Sequence, residues 1–221
     1  MILLGEAEAT AWLSSRLDLV PRGTSERLAA FEALIRERAE TQNLISRSTL
    51  ANLQLRHVVD SVQLLDLAPD VEIEWLDLGS GAGFPGLMVA VFSAHRVTLV
   101  ESRRLRIEFL QKAVELLHLG DRVEILGMPI ERVPPRPFDV ISARAFAPLP
   151  KLLELAHSFS TEKTRWVLPK GRGAQTELEQ VEHAWQGDFR LVPSITDADA
   201  RIIIAEGVRP RTASYRQGRR A

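Results

Sequence analysis

The 221-residue chain has no cysteine, which excludes disulfides, thiolate metal sites and a cysteine nucleophile. It has no apolar run long enough to cross a bilayer. Its start, M-I-L-L-G-E-A-E, lacks the basic residues and the apolar length of a secretory signal, so a cytoplasmic location is expected. No H-E-x-x-H, P-loop or Ser-His-Asp signature occurs. His57 and Asp60 share one helix face, but nothing nearby supplies a third ligand. They read as a helix-to-domain hydrogen bond, and no metal is expected. An excess of one charge is also missing. The formal net charge is −1, so the protein as a whole is not an electrostatic nucleic-acid binder. Basic residues gather locally instead, as in 209–221, where Arg209, Arg211, Arg216, Arg219 and Arg220 occur without an acid.

What is present is an ordinary globular composition, 45% hydrophobic and 26% charged. Its pattern changes along the chain. Residues 1–68 repeat apolar positions at helical spacing, through Leu28, Phe31, Leu34 and Ile35 and then Leu50, Leu53, Val58, Val62 and Leu65. Pro21 and Gly23 separate the first two helices, and Ser48 is the expected cap of the third. From Ile73 onward, short β-branched runs alternate with amphipathic stretches. The runs are 73–78, 96–101, 122–126, 138–143, 165–169, 189–195 and 201–206, with a helix over 103–119. This alternation predicts a mostly parallel seven-stranded sheet covered by helices on both faces. Only T-D-A-D-A separates the last two runs, which suits a hairpin and hence one antiparallel strand. The expected organisation is a helical extension over 1–68, an α/β domain over 69–207 and a basic tail over 208–221.

The densest signal is W-L-D-L-G-S-G-A-G-F-P-G at 75–86. A strand ends in Asp77. Gly79, Gly81 and Gly83 follow, and Pro85-Gly86 open a helix. Glycines there let a ligand approach the backbone, and a helix start offers N–H groups. Glu101 closes the next strand 22 residues after Gly79, near the spacing of an acid that binds a ribose diol. An adenosine-containing cofactor is therefore expected. Gly81-x-Gly83-x-x-Gly86 also satisfies the dinucleotide pattern, so an NAD-dependent oxidoreductase stays open. The pattern D-x-G-x-G-x-G resembles the first motif of S-adenosylmethionine-dependent methyltransferases. A carboxylate at Asp77 would repel a pyrophosphate but suits a cationic sulfonium donor.

Other polar residues fall at the carboxyl ends of strands, where open α/β sheets bind ligands. Ser80 sits in the glycine turn, and Ser102 follows Glu101. Ile130 and Glu131 follow the third strand, Arg144 the fourth and Lys170 the fifth. Arg144 closes a buried run, F-D-V-I-S-A. It either faces the crevice or pairs internally, with Glu131 or Asp139 as partner. Arg103, Arg104 and Arg106, with Lys170 and Arg172, are candidate phosphate contacts at the rim.

Five motifs in order, R-H-V-V-D-S-V at 56–62, D-L-G-S-G-A-G-F-P-G at 77–86, V-E-S-R-R-L-R-I-E-F-L at 100–110, S-A-R-A-F-A-P-L at 142–149 and P-K-G at 169–171, resemble the glucose-inhibited division protein B family. These are bacterial 16S ribosomal RNA (guanine-N7)-methyltransferases. The resemblance covers about residues 25–206. It implies a Rossmann-like class I methyltransferase fold with an N-terminal helical extension, S-adenosyl-L-methionine as methyl donor, and 16S rRNA or the small ribosomal subunit as partner. A monomer is expected. The donor positions carried over are Gly79, Phe84, Ile130 with Glu131, and Arg144, the last also the catalytic candidate because its planar fork can donate to guanine O6. Two family basic residues are replaced, by Pro129 before the Ile130-Glu131 pair and by Leu105 before Arg106. A non-catalytic rRNA-binding assembly factor on the same fold and a small-molecule methyltransferase, which would ignore ribosomal subunits, also stay open.

Overall fold

The computed structural model describes residues 3–211 except 18, 21, 40, 41 and 43. Pro21, Arg216, Arg219 and Arg220 thus lie outside the described residues. Seven strands form one sheet in the order β3-β2-β1-β4-β5-β7-β6. They are β1 (Glu74–Leu78), β2 (Arg96–Val100), β3 (Val123–Leu126), β4 (Val140–Ala143), β5 (Arg165–Lys170), β6 (Trp185–Pro193) and β7 (Arg201–Pro210). The first five are mutually parallel, and β7 runs antiparallel between β5 and β6. The seven strands and the single reversed one match the expectation from the sequence. The last two strands run longer than their apolar cores, and β7 takes in Arg209, so the sheet continues into the expected tail.

The order places β1 centrally, and the register does the rest. Leu78 lies opposite both Val100 and Ala143, and Val100 opposite Leu126. The carboxyl ends of β1 to β4 are therefore level. Gly79, Glu101 and Arg144 emerge along one edge, where the connections change direction across the sheet.

Side chains alternate between two cores. Trp75, Val97, Leu99, Val140 and Val167 face one side, with α1 (Glu6–Leu17), α2 (Thr24–Ala39), α5 (Gly86–Phe92) and α6 (Arg104–Leu116). Leu76, Leu78, Ile141, Trp166 and Leu168 face the other, with α7 (Leu149–Ala156) and α8 (Ala174–Val181). The extension shares the first core with the sheet, through Phe31, Ile35, Val58 and Val62. A short α3 (Arg47–Leu50) begins after Ser46, so Ser46 rather than Ser48 precedes this helix, and neither caps it through a side-chain bond. The next segment is not a regular α-helix. A π-helical stretch, Gln54–Val59, leads through one turn, α4 (Asp60–Val62), into a 3-10 stretch, Gln63–Leu67. Wide π-helical turns occur often at functional sites. This one carries Arg56 and His57 to the level edge of the sheet.

Candidate functional site

The turn after β1 is built from glycines for three different reasons. Gly79, Gly81 and Gly83 all have positive φ, at 66°, 58° and 89°, where side chains are strained. A Cβ on Gly79 would strike the Phe146 ring, and one on Gly83 would strike Leu87. A Cβ on Gly81 would have nothing nearer than 3.7 Å. Gly81 is thus the glycine whose missing side chain leaves room for something outside the protein.

Asp77 does not reach that room. It is 0% exposed and uses both oxygens internally. Oδ1 accepts from the Ser142 hydroxyl at 2.7 Å, and Oδ2 accepts from the Gly86 N–H at 3.2 Å. Trp75 Nε1 in turn donates to Ser142 Oγ at 2.8 Å. The structure corrects two expectations here. Asp77 is a brace behind the turn that ties β1 to β4, and it already holds the first N–H of α5. Ser80 also turns inward, donating to the Asp77 carbonyl at 3.0 Å.

Burial raises the Asp77 pKa to about 6, against the pull of Ser142, Ser80, Gly86 and Arg144. Its unfolded value is near 3.9, so folding favours the protonated form. The stability this supplies is complete at low pH and is lost as pH rises from about 4 to about 6. We expect Asp77→Asn to remove that component of the decline, read as a smaller loss of unfolding free energy across this window than in the parent. An identical pH profile would place the titration elsewhere.

Glu101 follows the end of β2 and is 5% exposed. Oε1 accepts from the Ser102 and Arg103 N–H groups at 2.8 and 2.9 Å, and Oε2 accepts from the Gly81 N–H at 3.1 Å. Arg106 lies 3.6 Å from Oε2. Of the rim arginines, Arg106 therefore turns inward across Glu101. Arg103 and Arg104 are exposed, Arg104 pairing with Glu108 at 2.6 Å along α6. A pocket of about 360 Å³ opens here, lined by Gly79, Glu101, Ser102, Met128, Ile130 and Glu131 among others. Ile130 is buried at 4%, whereas Glu131 is exposed.

Arg144 resolves the puzzle of a cation on a buried strand. Its partner is neither Glu131 nor Asp139 but the helical extension. Nη1 donates to Asp60 Oδ2 and to the Arg56 carbonyl, each at 3.3 Å, and Nη2 donates to His57 Nδ1 at 2.9 Å. The guanidinium lies 5.3 Å over the Phe84 ring. His57 must then be neutral, with its proton on Nε2 facing Thr49 Oγ1 at 2.9 Å. Burial, reinforced by Arg144 and Arg56, lowers its pKa to about 3. Asp60 Oδ1 accepts from Thr196 at 2.7 Å and Gln63 at 2.9 Å. The helix-to-domain bond expected of His57 and Asp60 is present, and Arg144 is its other end.

The loop between β6 and β7 closes the same edge. Besides Thr196, Asp197 pairs with Arg56 at 2.9 Å, and Leu4 N–H donates to the Ile195 carbonyl at 2.9 Å. Lys170 corrects another expectation. Its side chain is 10% exposed and bonded to Glu177 at 2.8 Å and the Ala147 carbonyl at 3.0 Å, so it is a strut rather than a rim cation. Arg172 is 86% exposed and pairs with Asp199 at 3.1 Å.

A cleft of about 770 Å³ runs from the glycine turn to this loop. Arg56, Arg106, Arg144, Lys170 and Arg201 line it against Asp60, Glu177 and Asp197, so its walls are net basic in a chain that is not. It adjoins the smaller pocket, with Gly79, Arg106, Ala145 and Phe146 bordering both. Arg56, Thr196, Asp197 and Phe146 are cleft residues not singled out from sequence. Arg56 opens the R-H-V-V-D-S-V motif without standing out in it, and the loop gives no motif for Thr196 and Asp197. The signal for Phe146 was its place just past a strand end in S-A-R-A-F. No group of ligating side chains among the described residues suits a metal, and none of their helices is long and apolar enough to cross a membrane.

The strand order, the glycine turn and the acid after β2 define the S-adenosylmethionine-dependent methyltransferase fold. Solved structures carry the same architecture at low identity. Ribosomal protein L11 methylase from Lactobacillus delbrueckii subsp. bulgaricus superposes with a TM-score of 0.55 at 16% identity, covering 74% of this chain and 80% of that one. TYW2 of P. horikoshii in complex with MeSAdo gives 0.54 at 15%, covering 71% and 63%. Residues 24–201 match the family described as GidB, rRNA small subunit methyltransferase G, and the chain belongs to that family. Two relatives, both named ribosomal RNA small subunit methyltransferase G, share most of its length. That of Rhizorhabdus wittichii is 51% identical over 97% of this chain and 98% of its own. That of Zymomonas mobilis is 48% identical over 92% and 95%.

Proposed function

We propose that the protein transfers a methyl group from S-adenosyl-L-methionine to N7 of a guanine in 16S ribosomal RNA. The observation that carries this reading, beside family membership, is the pair of adjoining lobes that meet at Gly79, Ala145 and Phe146. The smaller lobe has the features of a nucleoside site. It offers a carboxylate at Glu101, backbone at Ser102, an apolar wall at Ile130 and Glu131 at the rim, while Gly81 opens onto the larger lobe next to Gly79, which borders both. The donor supplies a methyl group on a cationic sulfur. Gly79, Ser80, Gly81 and Gly83 shape the turn that faces it, Asp77 braces that turn from behind, and Phe84 with Arg144 forms the wall toward the larger lobe.

The larger, basic lobe suits an RNA nucleotide. Guanine N7 carries an in-plane lone pair and no proton, so the transfer needs no general base. The residues' work is to hold the base in line and exclude water, and such positioning can supply ~7–11 kcal/mol. Neutral His57 and the internally paired carboxylates are consistent with a site that moves no proton. The oxidoreductase alternative loses its anchor. The first N–H of α5, where a pyrophosphate would bind, is occupied by a carboxylate.

The test is direct. Incubation with labelled donor and undermethylated small subunits should place label on N7 of one guanine, read by chemical cleavage at 7-methylguanine. RNA binding without transfer would favour the assembly-factor alternative. A monomer acting in the cytoplasm completes the proposal.

Among the rim cations, Arg103 and Arg104 are the best placed to reach phosphates, being exposed beside the smaller lobe. The double substitution Arg103→Ala with Arg104→Ala should weaken subunit binding and reduce its salt slope by ~0.7 for each phosphate no longer neutralised. Donor affinity should hold. An unchanged salt dependence would move the RNA face elsewhere, to Arg172 or the C-terminal arginines.

A further inference from the structure

We propose that Phe146 is the face on which the target purine stacks, so that this ring sets the base beside the donor. The assignment rests on the function proposed above and names the residue that receives the base. Five observations converge on it.

Phe146 borders both lobes. It is only half-buried, whereas Phe84, the other phenylalanine of the cleft, is 3% exposed and packed on Phe31 and His57. No aromatic ring of the described residues pairs with Phe146, so its π-face has no protein partner of that kind. The residue that delivers it, Ala145, has φ of 52°, a left-handed conformation that alanine rarely adopts. Such strain persists where surrounding structure enforces it, and it clusters at functional sites. Finally, Gly79 has no Cβ where one would collide with the Phe146 ring. Turn and ring are thus mutually adapted. The glycine lets the ring lie against the donor turn, and the strained alanine aims it there.

The chemistry selects the ligand. An RNA base that must be reached at N7 is drawn out of its stack, and proteins compensate the missing stacking with aromatic side chains. A planar ring at the junction of a nucleoside lobe and a basic lobe provides that replacement at the place where methyl and acceptor must meet. Arg144, held by Asp60 and His57, lies one residue before Ala145 and lines the same larger lobe.

The experiment compares the full-length parent with Phe146→Leu, which keeps apolar bulk but removes the ring, and Phe146→Tyr, which keeps the ring. Single-turnover methyl transfer to undermethylated small subunits is measured alongside calorimetric affinity for S-adenosylhomocysteine and the thermal midpoint. Phe146→Leu should slow transfer on the order of 10-fold or more, the scale of removing one base–aromatic stack. Its S-adenosylhomocysteine affinity and thermal midpoint should stay close to the parent's, and Phe146→Tyr should restore most of the rate. An active parent with an equally active Phe146→Leu overturns the assignment alone. So does a parallel loss of donor affinity, which would make the ring part of the donor site. A tyrosine variant as slow as leucine overturns it too. A parent that labels no guanine overturns the underlying function and this assignment together.

Discussion

Gly81→Val is expected to abolish donor binding while leaving the protein folded. Gly81 has φ of 58°, which costs a side-chain-bearing residue ~1–2 kcal/mol, and more for a β-branched one. That is a fraction of ordinary domain stability, ~5–15 kcal/mol. No protein atom lies within 3.7 Å of the new Cβ, so no core clash adds to the strain. The branched side chain projects instead into the cleft at the glycine turn, where Gly81 lines the larger lobe next to Gly79, the residue that borders both lobes. Titration with S-adenosylhomocysteine should show affinity reduced about 100-fold or more, equivalent to ~2.8 kcal/mol. A folded variant with parental affinity would refute the donor site. Gly79→Ala is the less informative change, because its Cβ meets Phe146 and disturbs both lobes at once.

Arg144→Ala is expected to reduce methyl transfer by about 100-fold or more, since removal of a group that positions and polarises commonly costs ~10²–10³ in rate. The structure also sets the accompanying loss of stability. The truncation leaves His57 Nδ1, a buried acceptor, without its donor, and removes one partner of Asp60. Asp60 keeps Thr196 and Gln63. The cost should be ~1–3 kcal/mol, enough to see in a denaturant titration but not to unfold the protein. Arg144→Lys retains the charge without the fork that spans Asp60 and His57 at once, and should rescue little. Full activity in a folded Arg144→Ala would reduce the residue to a tie between extension and sheet.

The sheet was legible because each strand is a short β-branched run and each turn carries glycine or proline, signals local in sequence. The glycine turn and Glu101 were legible for the same reason. What the sequence did not disclose were pairings across long separations. Asp77 looked like a ligand contact because its spacing to the glycines is right. That its oxygens are consumed by Ser142 and Gly86 depends on β4 lying beside β1. Arg144 showed itself as a cation that needed a partner, but Asp60 is 84 residues away and outside the sheet. Lys170 read as a rim phosphate contact for a different reason: its partner Glu177 is only seven residues on, but the pairing depends on α8 folding back over the end of β5. Phe146 carries no charge, and S-A-R-A-F-A-P-L gives it no role of its own, so its significance comes from its place between two lobes.

The stitching of the extension to the last hairpin has a consequence for timing. Asp60 bonds Thr196 across 136 residues, and Arg56 bonds Asp197 across 141. At ~5–20 residues per second, the far partner emerges roughly 7–28 s after the near one. The glycine turn and Arg144 are themselves made within that interval, and the cleft stays open until its end. The protein therefore completes its site only once the last hairpin has been synthesised, and a chain stalled before residue 196 should be unable to modify the ribosome that is making it.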